Sequence, residues 1–584
     1  MAASDAVPDA ASPSAPAAPA APAAAEAHAP AAAPAPAAAP GPSASALEYD
    51  VVVVGSGAAA FACALGALDE GLSVLMVEST DRFGGNTAMS GGGLWLPHSP
   101  VMQREGARDS REEALRYLDA TVGEPGVSSN RARKEAFVDG VADFVLTTER
   151  YGFEWIRAAA YPDYYPEAPG GKIGRSIELR PFDAKLIGHW RKKSRALLPF
   201  PMLNSDMYRL GRAWSTWSGF WQGVRLVFRT LGGLVRGRML LGMGGALAAA
   251  LAKVVVVDGK VPLWLNAPAR RLVVEGDRVV GVEVERGGET VTVRARRGVM
   301  LAAGGFDRDK ERRKRLQGVE GNPAGSPGAL GGGIDMAVEV GAALEYMDDA
   351  WWGATVRPVE GGLSSFIVGE RSMPYSIIVD KEGRRFANES ESYVDLGHHM
   401  LEHDGAVGPY WFILDRRYTK RYFLTFAAEP GAAKKMAAQG IKVTAPTLDE
   451  LAAKIGVDRA VFLAEVDTFN GYARTGRDQD FHRGDSAYDR YYGDPTIHPN
   501  NNLAPLQRGP FTAYEVVIGD LGTKGGVVTD AHARALRADG SVIEGLYSAG
   551  NNSAAVMGHT YPGPGSTLGP ASVFGLIAAR HMAR

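Results

Sequence analysis

The chain has 584 residues, too many for one simple domain, and a formal charge of −3, which gives no sign of a nucleic-acid partner. Its single cysteine, Cys63, excludes an intramolecular disulfide and a cysteine metal cluster; no metal site is expected, and a reducing, cytoplasmic compartment fits. No apolar run reaches the roughly 18–20 residues of a membrane span, and the best candidate, Met239 to Ala252, is short and rich in Gly and Ala.

Residues 1–46 are almost all Ala, Pro and Ser. They cannot bury a core and read as a disordered or polyproline-like tail. The first Lys or Arg is Arg82, so neither a secretory nor a twin-arginine signal is expected. From Tyr49 to Glu78 the pattern is strand, tight turn, helix, strand. The β-branched run Asp50 to Val54 fits a strand buried on both faces. Gly55, Ser56 and Gly57 then let the backbone turn and come close to a ligand. The helix opening at Ala58 and Ala59 is small on one side, and its first N–H groups suit a pyrophosphate. Glu78, followed by Ser79, stands where a dinucleotide fold places the carboxylate that holds the adenosine ribose. The third glycine of G-x-G-x-x-G is Ala60 here. An ordinary βαβ unit with a glycine turn is the plainer reading.

Another ordinary helix would follow in a bare NAD site. Here a run of Gly and small polar residues follows at once. Gly85, Asn86, Thr87, Ser90, Gly91 and Gly92 can lie along a long flat ligand with amides and hydroxyls turned towards it. That suits the diphosphate, ribityl chain and ring edge of FAD. Residues 109–155 read as charged helix, and Tyr161-Pro-Asp-Tyr-Tyr-Pro-Glu as an aromatic loop. Between Lys185 and Lys253 stand twelve basic residues, four tryptophans and one acid, Asp206. Basic residues draw anionic headgroups and tryptophans favour the interface, so the stretch suggests a patch that docks on the cytoplasmic face of a membrane, near a quinone. The competing reading has the arginines solvated and the tryptophans packed inside.

Val261 to Leu301 reads as a β-meander that runs on into a glycine turn at Gly304. No second G-x-G-x-x-G with its own acid follows, so no NAD(P)H site is expected. Residues 354–522 change texture, to helices between aromatic and proline loops, and read as a domain inserted into the first. The chain then returns through a strand that ends at Gly550 and Asn551. It closes with Tyr561-Pro-Gly-Pro-Gly-Ser-Thr-Leu568 and a last helix, whose N-terminus could set positive potential at a flavin edge.

These segments together resemble the 3-ketosteroid Δ1-dehydrogenases, within the fumarate reductase and succinate dehydrogenase flavoprotein family. The resemblance rests on RFGGNTAMSGGGLWLP, FANESESYVD, GDLGTKGGVVTD, LYSAGNNSAAVMG and TYPGPGSTLGP. It implies an α/β chain: a two-dinucleotide-fold (Rossmann-like) FAD domain at 47–353 and 523–584, with an inserted α+β catalytic domain at 354–522. It also implies Ser566 and Leu568 beside the cofactor. No histidine lies in the glycine-rich loop where some relatives attach flavin, so FAD is expected to be noncovalent.

The implied reaction takes a proton from C2 and a hydride from C1 of a 3-ketosteroid, with electrons passing on to a quinone or another acceptor. Tyr561 and Gly565 match the donors to the ketone, and Tyr393 matches the base. Tyr164 matches its helper, with Tyr165 as the adjacent alternative. Phe366 and Tyr161 match residues that line the steroid slot. The plainer readings are a structural glycine-proline turn and packed loop aromatics. Departures from the family are Met89, where an aromatic is common, extra residues at Glu370 to Tyr375, and the long basic stretch. A fumarate-type activity lacks its His-Pro-Thr and His-Arg-Leu-Gly-Gly motifs here. A desaturase acting at C4–C5, another enone enzyme and a flavin-holding interaction protein remain as rivals.

Overall fold

Strand β1 (Leu47–Val54) ends in four buried valines, which suit a strand covered on both faces. The structure is a computed structural model and describes residues 47–196, 200–362 and 364–584; the tail read at 1–46 lies outside the described residues. From β1 the chain turns into helix α1 (Ala58–Asp69), buried from Ala58 to Ala67, and returns as β2 (Val74–Val77), parallel to β1. Cys63 lies inside α1, where burial pushes its thiol up to about 12 and leaves it a packing residue.

The chain then passes through α2 (Gly85–Met89), α3 (Trp217–Val235) and α4 (Met243–Ala252), and β3 (Leu263–Trp264) joins β2. The expected meander follows as β4 (Ala269–Glu275), β5 (Arg278–Arg286) and β6 (Glu289–Leu301), antiparallel to one another. β6 lies parallel to β1 on the side away from β2.

A second sheet occupies residues 350–523. Its strands are β7 (Ala350–Val356), β8 (Ser365–Phe366), β9 (Ser376–Val379), β10 (Tyr410–Leu414), β11 (Lys442–Ala445) and β12 (Phe511–Thr523). The order is β8-β7-β12-β10-β9, with β11 also on β12, and every pair is antiparallel. Ile378, Phe412 and Leu414 face one apolar cluster; Ile377, Val379, Trp411 and Ile413 face another. Helices α5 (Tyr393–Asp404) and α6 (Ala487–Tyr492) belong to this half of the chain. The sequence reading found helices between loops here and named none of these strands. With both faces covered, SIIV and YWFIL show no polar alternation to mark them as strands.

The chain closes with β13 (Arg534–Leu536), β14 (Val542–Ser548) and α7 (Leu568–Met582). β14 lies parallel to β6, so the first sheet has a parallel core ordered β3-β2-β1-β6-β14. Sequence moves outward from β1 through β2 and β3, then crosses back to β6 on its other side. Ligands bind in open α/β sheets at such a reversal, beyond the carboxyl ends of the strands. The α/β class read from the sequence is the one observed.

Candidate active site

A cavity of ≈ 1060 Å³ opens at that reversal, lined by the turn after β1 and by Ala302, Ala303 and Gly304 after β6. Gly55 has φ +108, and a Cβ there would stand 2.3 Å from the Ala302 carbonyl oxygen. Only glycine lets the two strand ends come this close. Gly304 has φ +80, and a Cβ there would point into open space. Gly55, Ser56, Gly57, Ala58, Ala59, Glu78, Ser79, Gly85, Asn86, Thr87, Ser90, Gly91, Gly92, Gly550, Asn551 and Leu568 also line the cavity. Ser566 does not. Its hydroxyl donates to the Gly563 carbonyl at 2.8 Å and accepts from the Gly563 N–H at 2.9 Å, so it fixes the loop instead.

Hydrogen bonds set this cradle in place. The Ala58 N–H donates to Thr87 Oγ1 at 2.9 Å, joining the start of α1 to the glycine-rich segment. Glu78 accepts from Ser56 Oγ at 2.6 Å and from the Thr80 N–H at 3.0 Å, which hold its carboxylate at the cavity edge. Arg195 donates to Thr80 Oγ1 at 2.6 Å, so it supports the cradle rather than joining the surface basic patch. The loop Ala324–Leu330 forms a further wall that the sequence reading missed. Its only signal was the turn composition of Gly325-Ser326-Pro327-Gly328. A helix N-terminus at the cavity wall, a fixed carboxylate and a glycine turn that opens onto the cavity fit FAD.

The other half of the cavity is aromatic. Tyr164, Tyr393 and Tyr561, from three distant segments, form one cage. Ring centroids lie 5.5 Å apart for Tyr164–Tyr393, 5.2 Å for Tyr164–Tyr561 and 5.1 Å for Tyr393–Tyr561. Tyr393 is the first residue of α5, and Phe366 meets it edge-on at 5.3 Å. Trp351 meets Tyr561 edge-on at 5.3 Å. The Tyr164 N–H donates to the Pro562 carbonyl at 2.9 Å, and Tyr117 donates to that same carbonyl at 2.6 Å. These bonds tie the aromatic loop to the Tyr561–Gly565 turn. Tyr161 lines the cavity, stacks on Tyr491 at 4.5 Å and hydrogen-bonds Tyr492 through its hydroxyl. Tyr165 is turned elsewhere and donates to Asp395 Oδ1 at 2.9 Å; of the two adjacent tyrosines, Tyr164 is the one in the cage.

Burial raises all three cage phenols. Tyr393 and Tyr164 lie well above the usual phenol range, through burial first and then through the tyrosines beside them. Tyr561 is raised by burial, but Tyr393, Thr567 and the Gly565 N–H beside it pull it back. Tyr561 therefore stays a protonated donor, and the Gly565 N–H lies next to its oxygen.

The family model for an FAD binding domain matches residues 50–568. A 3-oxosteroid 1-dehydrogenase of Mycolicibacterium smegmatis is 43% identical over 562 residues, 92% of this chain and 97% of the relative. The chain belongs to the FAD-binding 3-oxosteroid 1-dehydrogenase family. A 4-oxocyclohexanecarboxylate 2-dehydrogenase of Sinomonas cyclohexanicum is 36% identical over 568 residues, 92% of this chain and 93% of the relative. The crystal structure of a 3-ketosteroid delta1-dehydrogenase from Sterolibacterium denitrificans, in complex with 1,4-androstadiene-3,17-dione, is similar with a TM-score of 0.85. It is 37% identical, covering 92% of this chain and 99% of that one.

Two further features of the site were missed in the sequence. Tyr488 lies 4.4 Å from Tyr164, and Tyr491 and Tyr492 back Tyr161. All three sit on α6 at i, i+3 and i+4, one face of a helix, a spacing that marks them as a unit. The second feature is α3, which covers the far end of the cavity with Leu226 turned inward. Its opposite face carries Trp217, Phe220, Trp221, Phe228, Leu231 and Val235, all exposed, with Trp217 at 74% and Phe228 at 69%. Trp214, just before it, lines the cavity and is 70% exposed. Among the described residues no helix is long and apolar enough to cross a membrane, and no acid, histidine or cysteine cluster could hold a metal ion.

Proposed function

We propose that this protein desaturates 3-ketosteroids between C1 and C2, using noncovalent FAD. The observation that carries the reading is the cage of Tyr164, Tyr393 and Tyr561 beside the cofactor cradle. Bound FAD supplies the hydride acceptor for C1. The Tyr561 hydroxyl and Gly565 N–H donate to the C3 carbonyl, and both bonds strengthen as charge builds on that oxygen. This acidifies C2, whose proton passes to Tyr393. Tyr164, in ring contact with Tyr393, would steady the phenolate that accepts this proton or relay a proton onward. Phe366, Tyr161 and Tyr492 form the flat apolar slot. No histidine or cysteine lines the cavity among the described residues, so no such side chain is at hand to link the flavin. We assign 47–353 and 523–584 to cofactor binding and 354–522 to the substrate half.

The cavity's charges favour a neutral substrate over a carboxylate. Arg270 is the one cation among its described lining residues, and it is paired with Glu285 at 2.6 Å on the first sheet. A dicarboxylate or a cyclohexanone carboxylate would find no free cation by the tyrosines. A neutral steroid with ketones at both ends, such as the S. denitrificans relative holds, suits the site better. Anaerobic mixing with a 3-keto-4-ene steroid tests the reading: a 1,4-diene product supports it, and no new C1–C2 double bond overturns it.

The same enzyme, we infer, collects its substrate at a membrane surface. The outward stripe of α3 repeats every three to four residues, the pattern of an interfacial helix, and Arg225, Arg236 and Arg238 flank it in solvent. The helix lies over the far end of the cavity, so a steroid leaving the bilayer has a short path inward. The purified protein is expected to sediment with anionic vesicles at low salt. Exchanging Trp217, Phe228 and Leu231 for serine should release it without changing turnover of dispersed steroid. A wild-type protein that stays in the supernatant at low salt contradicts the docking.

A further inference from the structure

We propose that Glu370 is a substrate-positioning residue whose carboxyl hydrogen-bonds a ketone oxygen at C17, on the far ring of the steroid. The assignment rests on the ketosteroid reading of the same cavity and adds which substrates it prefers. The cavity wall runs from Phe366, edge-on to Tyr393, through Val368 and Gly369 to Glu370. Gly369 packs on the Tyr492 ring. Phe366 and Glu370 are four residues apart and line the same cavity, so the carboxyl lies at most roughly 14 Å of chain from the residue that packs on the Tyr393 ring.

Glu370 is 92% buried, with 8% of its surface exposed, and lines the cavity among Met373, Leu226 and Phe423. The Thr425 hydroxyl donates to its Oε1 and is the one side-chain donor that reaches it among the described residues. Tyr418 donates to its backbone carbonyl at 2.8 Å, which fixes the residue. Among the described residues no cation is paired with it. Arg371 is turned to the carbonyls of Ile367, Glu389 and Glu391, and Arg212 to that of Gly493.

A carboxyl so placed favours its neutral form, and burial raises its pKa accordingly. The Thr425 hydroxyl and the backbone N–H groups of Glu370, Thr425 and Val368 oppose that rise, and the neutral acid still has its own O–H to donate. Left alone in an apolar slot that donor is costly, and a ketone oxygen satisfies it. An alkyl side chain at C17 would not. Nor would an anionic one be welcome, because among the described lining residues no free cation is there to offset its buried charge.

The test is steady-state kinetics on the holoenzyme with an artificial electron acceptor and two steroids. One is a 4-ene-3,17-dione; the other is a 4-en-3-one with no oxygen at C17. Glu370→Leu should raise KM for the dione about tenfold, equivalent to about 1.4 kcal/mol. It should leave kcat, and both constants for the second steroid, unchanged. Glu370→Gln should restore the dione KM, because its amide also accepts from Thr425 and donates outward. Equal loss for both steroids, no loss for either, or a Gln variant as weak as the Leu variant overturns the assignment. A wild-type enzyme that desaturates neither steroid overturns the parent reading as well, whereas normal wild-type turnover with an unchanged Leu variant overturns Glu370 alone.

Discussion

Tyr393→Phe is expected to lower turnover of a 3-keto-4-ene steroid by roughly 10²–10⁴, the usual contribution of a positioned base, with FAD still bound. The substitution removes one hydroxyl and almost no volume. The phenyl ring keeps its edge contact with Phe366 and its place against Tyr164, so the cage should hold its shape. Tyr561→Phe should cost roughly 10²–10³, the loss of one donor to a developing oxyanion. The pH profile adds a signature. Burial and Tyr561 hold the Tyr393 phenol well above its usual range, so its ionised, proton-accepting form is scarce at neutral pH. The wild-type rate should therefore climb with pH through neutrality into the alkaline range, and Tyr393→Phe should lose that climb. Near-normal turnover in Tyr393→Phe would remove it from the mechanism.

Gly55→Val should abolish FAD binding. At φ +108 the backbone disfavours a β-branched residue, and the new Cβ would lie 2.3 Å from the Ala302 oxygen and 2.7 Å from its carbonyl carbon. Backbone strain of this kind costs on the order of 1–3 kcal/mol before the clash is counted. Neither neighbour can yield freely, since Val54 and Leu301 are paired in the parallel core. The strand ends must part, and the start of α1 moves off the diphosphate position. Flavin absorbance per polypeptide in the purified variant is the measurement. A colourless protein is expected, and one as yellow as wild type contradicts the placement of the cofactor.

The nucleotide half was legible because its determinants are local. The valine run, the glycine turn, the alanine helix and Glu78 lie within thirty residues and each has a direct backbone reason. The meander was legible for the same reason, with its turns marked by Gly276 and by Gly287-Gly288. The tyrosine cage was not legible in that sense. Nothing in the spacing of Tyr164, Tyr393 and Tyr561 brings them together; only the resemblance to a family did. The structure shows how folding does it, through the Tyr164 to Pro562 bond and the start of α5. The strands of the second sheet stayed hidden because both their faces are covered. The tryptophans of the basic stretch divided in a way composition could not reveal. Trp190 packs against Phe83, while Trp214, Trp217 and Trp221 are exposed. Ser566 read as a cofactor contact from its motif, yet its hydroxyl is engaged within the loop.

Desaturation coupled to flavin reduction is read in one experiment, in which the oxidised, yellow protein is mixed with a 3-keto-4-ene steroid in the absence of oxygen and of any other acceptor. The flavin spectrum should bleach, one equivalent of 1,4-diene should form per flavin, and acid treatment afterwards should release intact FAD from the chain. Succinate should leave the spectrum unchanged. A spectrum that stays oxidised with the steroid, or bleaches equally with succinate, would contradict that coupling.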